Sequence, residues 1–71
     1  MGESQMILIK ETSGGYYIEM EHPVGNTIWC NDNQWRPEYI VTTNQLEIFK
    51  TRQDAVQYIS NNNLGSYYDE S

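Results

Sequence analysis

From Met6 to Met20 apolar and polar residues alternate, with one interruption at Ser13-Gly14-Gly15. Alternation at period two is the pattern of a half-buried strand, so this stretch predicts a β-hairpin. Placing a two-residue primed turn at Gly14-Gly15, where both residues tolerate positive φ, sets Ser13 opposite Tyr16, Lys10 opposite Glu19 and Ile9 opposite Met20. Ile7, Ile9, Tyr16, Ile18 and Met20 then share one face, and Lys10, Tyr17, Glu19 and Glu21 share the other with Met6 and Leu8. A three-residue turn would set Ile9 against Glu19 and mix the faces, so the two-residue turn is preferred.

Further along, His22-Pro23-Val24-Gly25-Asn26 has the composition of a loop, and Thr27-Ile28-Trp29-Cys30 has the β-branched and aromatic makeup of a short third strand. After the polar turn Asn31-Asp32-Asn33-Gln34, Trp35-Arg36-Pro37 leads into an expected strand at Tyr39-Ile40-Val41-Thr42-Thr43. Asn44-Gln45 would turn it back into Leu46-Glu47-Ile48-Phe49. The helix signal lies beyond. Thr51 followed by Asp54 is a variant capping box, and Ala55, Val56 and Ile59 form an apolar stripe at helical spacing, so a helix should run from Arg52 to about Asn61. Asn61-Asn62-Asn63 and Gly65 supply its stop. The expected fold class is α+β, a small antiparallel sheet of three or four strands with one C-terminal helix packed on one face. The chain, residues 1–71, reads as a single domain with loose ends at 1–5 and 66–71.

With 71 residues the core is small, since a domain of ~60 residues buries only ~60% of its unfolded surface, and a deep enzyme cleft is not expected. Aromatics at 13%, six of them Tyr, argue for a folded domain rather than an acidic disordered tail. Ten acids against four bases give a formal net charge of −6. That balance disfavours direct binding to nucleic acid or to anionic membrane and points to a basic partner, or to solubility alone. The charge is uneven: residues 1–22 carry −3, the stretch from Asp32 to Asp54 carries −1, and Asp69-Glu70 adds −2. A single cysteine, Cys30, makes no internal disulfide and suits a reducing cytoplasm. The start MGESQMILIK has neither the basic n-region nor the long apolar run of an export signal, and no stretch approaches the ~18 apolar residues of a membrane span.

Candidate chemistry is sparse. His22 lacks any partner pattern of a base or metal ligand, and Cys30 has no adjacent base to activate it, so no enzyme, metal or cofactor is expected. Binding surfaces remain. Glu19 and Glu21, two apart on one strand, should project from the same face roughly 6.7 Å apart, a spacing compatible with neighbouring phosphates. Tyr17 falls on that face, and Tyr67-Tyr68 adjoin Asp69-Glu70. Tyr beside acid suits a basic partner, because Lys and Arg use both the carboxylate and the ring. The candidate partner-binding set is therefore Glu11, Tyr17, Glu19, Glu21, Asp69 and Glu70.

The small size, acidity, single cysteine and strand-to-helix ending FKTRQDAVQYI, Phe49–Ile59, resemble the short proteins that bacteriophages express to redirect their hosts. Within that group the size and charge look like the acidic DNA mimics. The resemblance implies a non-enzymatic inhibitor in the host bacterial cytoplasm that occupies the DNA-binding surface of a basic host protein such as the nucleoid protein HU. Lys50 and Arg52 depart from a uniformly acidic mimic. The alternative is a small structural or adaptor protein associating through a sheet edge, including as a homodimer, with the acidity serving solubility.

Overall fold

The computed structural model describes residues 6–64. Four strands form one antiparallel sheet in the order β1-β2-β3-β4: β1 Met6–Thr12, β2 Gly15–Glu21, β3 Thr27–Trp29 and β4 Trp35–Pro37. One helix, α1 Arg52–Asn61, follows, and the fold is α+β as the patterning implied.

The hairpin forms in a different register. Thr12 pairs with Gly15, Lys10 with Tyr17, Ile9 with Ile18 and Ile7 with Met20, so the turn is Ser13-Gly14. The slip relative to the expected pairing is two residues, which preserves side-chain parity, and the division of faces is as expected. The reason lies at Gly15. Its φ is +141°, and a Cβ there would collide with the carbonyl oxygen of Phe49. Next to it the Tyr16 and Phe49 backbones exchange hydrogen bonds of 2.9 and 2.8 Å. Gly15 therefore serves the approach of a distant segment rather than the turn.

Two expected strands are absent. β4 ends at Pro37, which has no N–H to continue a ladder, and Glu38–Ile40 winds into a 3₁₀ turn in place of the strand expected at Tyr39–Thr43. A second 3₁₀ turn, Thr43–Gln45, is capped by the Gln45 side chain, whose Oε1 accepts from the Thr42 N–H at 3.0 Å. Thr42-x-x-Gln45 is the spacing of a capping box, and that local signal overrides the β-branched composition. Leu46–Phe49 is likewise no regular strand: Leu46 bridges Cys30 and Phe49 bridges Tyr16, so the segment is pinned at its two ends.

α1 matches its signals. Thr51 Oγ1 accepts from the Asp54 N–H at 3.1 Å. At the other end Asn63 takes φ +54°, Asn63 N–H donates to Ser60 O and Leu64 N–H to Ile59 O at 3.1 Å, the paired bonds of a Schellman stop. Ala55 and Ile59 are buried against Ile7, Ile18, Met20 and Trp29, with Ile9, Trp35, Phe49, Tyr58 and Leu64 packed around them. Each fully buried Ile contributes about 2–3 kcal/mol. The aromatics pack edge-on, Trp29 to Trp35 at 5.1 Å and Phe49 to Tyr58 at 5.0 Å between ring centroids, and Trp29 Nε1–H donates to the Tyr58 hydroxyl at 3.2 Å. α1 and the aromatic cluster thus occupy one face of the sheet.

Candidate protein-binding surface

The face away from α1 carries Leu8, Lys10, Tyr17, Glu19, Ile28 and Arg36, as the pairing of Leu8 with Glu19, Glu19 with Ile28 and Ile28 with Arg36 requires. Glu19 was expected to be exposed here and is not: it is 4% exposed and its Oε2 accepts from Asn26 Nδ2 at 2.6 Å. Its central position on β2, flanked by β1 and β3, and the Asn26 side chain folding over it exclude water. A buried carboxylate needs such a partner, because unpaired burial is costly.

Asn26 also ties the loop to the 3₁₀ turn that follows β4. Its carbonyl accepts from the Glu38 N–H at 3.0 Å, Gly25 N–H donates to His22 O at 3.2 Å with Gly25 at φ +144°, and His22 Nε2 lies 3.4 Å from Thr27 Oγ1. These bonds close the loop between His22 and Gly25 and tie it to Thr27 and Glu38, and the Val24 side chain, at the loop tip, is 96% exposed. Across from it Tyr39 is 86% and Ile40 53% exposed, put there by the 3₁₀ turn that follows Pro37. Between them lies a concavity of about 570 Å³ lined by Val24, Gly25, Asn26, Thr27, Pro37, Glu38 and Tyr39. A second, of about 340 Å³, is lined by Met6, Glu21, His22, Pro23 and Asn26. The two share Asn26, and their linings hold two carboxylates, Glu21 and Glu38, with no Lys or Arg.

Of the residues expected to bind a partner, Glu21 is exposed at this rim and Tyr17 is half-buried opposite Lys10. The Tyr17 hydroxyl is pushed above its ordinary pKa by burial first and by the Glu19 charge second, with Glu38 adding and Lys10 opposing. The Tyr17 hydroxyl thus lies within electrostatic reach of both Glu19 and Glu38. Glu11 is exposed but belongs to the opposite face, paired with Tyr16. Asp69 and Glu70 lie outside the described residues, as do Tyr67 and Tyr68. Sequence reasoning missed Val24, Glu38 and Tyr39; the one signal was an apolar residue held between Pro23 and Gly25, where a loop composition calls for a polar one.

Cys30 is fully buried, its Sγ–H directed at Ile28 O at 3.5 Å, and burial first, with the Asp32 charge second, pushes its thiol up against the opposing pull of Arg36. Asp32 is itself paired with Arg36. Among the described residues no three His, Cys, Asp or Glu side chains cluster to hold a metal ion, and no helix is long and apolar enough to cross a membrane. Compared with protein-family profiles, curated proteins and solved structures, the chain matches none.

Proposed function

We propose that the protein is a non-enzymatic acidic binding protein that docks onto a basic surface of another protein through the rim around Asn26. The observation that carries this is the pairing of two almost fully exposed apolar side chains, Val24 and Tyr39, on a hydrogen-bonded loop and turn, with Glu21 and Glu38 beside them and no Lys or Arg in either lining. A rigid apolar tip loses little entropy on docking, and a Tyr with neighbouring acids suits a surface of Lys and Arg. The partner class that the charge favours is a DNA-binding protein whose basic groove the rim would occupy, in the manner of a DNA mimic. In that form Glu21 and Glu38 supply the carboxylates, and Glu19 acts from within by holding Asn26.

The test uses HU bound to a fluorescent duplex. The protein is expected to displace the duplex at low salt and progressively less as salt rises, and the Val24→Asp/Glu21→Lys variant should displace at least about tenfold less well. Displacement absent at all salt concentrations overturns the HU-like partner. Equal displacement by parent and variant overturns the rim.

A further inference from the structure

The sheet ends in two very different edges. β4 is three residues long and closes with Pro37, which offers no N–H, so that edge is blunt. β1 is seven residues long, pairs with β2 without a bulge, and contains no proline. Which of its backbone groups point outward follows from Tyr16. Its N–H and C=O are both spent on Phe49, on the far side of β2 from β1, so Tyr16 and Glu11 form a non-hydrogen-bonded pair. Alternation then makes Thr12, Lys10, Leu8 and Met6 the residues bonded to β2. The N–H and C=O groups of Ile7, Ile9 and Glu11 face away from the sheet, with no strand beside them among the described residues.

We infer that this edge pairs with a second copy of the chain, β1 against β1′ antiparallel about a two-fold axis at Ile9. This register overlaps the whole described strand: Ile9 meets Ile9′, Ile7 meets Glu11′, Leu8 meets Lys10′ and Met6 meets Thr12′. All three outward-facing residues fall in hydrogen-bonded pairs, giving six backbone bonds, two for each pair. No like charges stand directly opposite, whereas moving the axis to Lys10 would set Lys10 against Lys10′. Parity is kept across the axis, so both copies of α1 lie on one side of a continuous eight-stranded sheet with the order 4-3-2-1-1′-2′-3′-4′. Because the outer edges are then both β4, the assembly closes as a dimer instead of extending as a fibre. The contact lies at the far edge from β4 and does not rest on the proposed rim.

The full chain is made by chemical ligation, as the parent and with the Glu11 amide N-methylated, which removes an outward donor while leaving every β1–β2 bond in place. Sedimentation equilibrium of the parent should show a dimer that added salt does not weaken, since screening relieves the repulsion between two acidic copies. N-methylation should weaken it at least about tenfold through two lost bonds and the added methyl, with the circular dichroism of the monomer unchanged. In the parent, exchange protection of the Ile7, Ile9 and Glu11 amides should rise with protein concentration. A parent that stays monomeric, a dimer indifferent to N-methylation, or protection independent of concentration, as an intramolecular cover would give, each overturns the inference. Loss of HU displacement with the dimer intact would count against the rim alone.

Discussion

Glu19 and Asn26 form a two-residue device in which a buried carboxylate orders a loop. The carboxylate accepts from the Asn26 side-chain amide at 2.6 Å, and the Asn26 backbone carbonyl accepts from the Glu38 N–H, so one residue, through its side chain and its backbone, links Glu19 to both shoulders of the rim. Truncating Asn26 to Ala should cost about 1–3 kcal/mol, because it strips a buried acceptor of its partner. Glu19→Lys should cost about 3–5 kcal/mol, the range for an uncompensated buried charge, while Glu19→Gln keeps an acceptor and should cost much less. Urea unfolding of the three variants checks this, and a Glu19→Lys protein as stable as the parent would mean that water reaches the carboxylate. The two neighbouring glycines give a second contrast. Gly15→Ala must hold a backbone conformation worth roughly 1–3 kcal/mol of strain and must also displace the Phe49 carbonyl, whereas Gly14 has open space around it and its Ala variant should be close to neutral.

At the scale of elements, local signals were readable in proportion to how much of each element's fate is local. α1 was legible to its ends because its cap, stripe and stop are all carried by contiguous residues. The faces of the hairpin were legible because alternation survives a slip of two. The register was not, since what fixes Gly15 is Phe49, a residue remote in sequence. Leu46–Phe49 reads as a strand by composition but makes only the bridges at Cys30 and Tyr16, and the rim was hidden because its position depends on how Pro37 and the following 3₁₀ turn aim Tyr39. The burial of Glu19 was equally invisible, for strand parity tells which face a side chain takes and not what covers that face. For α1 the expectation is specific: Thr51→Ala should lose about 1 kcal/mol with the cap, and Asn63→Gly should be neutral or stabilising at a left-handed position, where Asn63→Ala is penalised. Thermal unfolding followed at the helix band reads both.

At the scale of the whole molecule, two groups among the described residues, a thiol and a phenol, link folding to alkaline pH. The Cys30 thiol and the Tyr17 hydroxyl are both raised, by burial in the first place, so the folded protein holds these protons more tightly than the unfolded chain does. The stability they contribute is complete below the ordinary titration range of the thiol and is lost as pH climbs through the raised folded values. The urea midpoint should therefore be level through neutrality and fall in alkali, and a Cys30→Ala/Tyr17→Phe protein should show a shallower fall relative to its own neutral value. An alkaline limb unchanged in that variant would assign it to other groups. The same burial predicts that Cys30 reacts with a thiol reagent at the rate of unfolding and not at that of a free cysteine.

Trp29 and Trp35, the two tryptophans of the chain, touch each other where α1 meets the sheet, and Tyr58 of the helix bonds to the first of them. Every indole signal therefore originates at one joint. Tryptophan emission and the near-ultraviolet ellipticity of the pair will report the loss of the contact between Tyr58 of α1 and Trp29 of β3, and will do so for local undocking as well as global unfolding. β1 lies at the opposite edge of the sheet, so strand pairing between copies should be optically silent in the same experiment. A fluorescence-detected melt thus reads the helix-side core, and an exchange-detected one reads the edge.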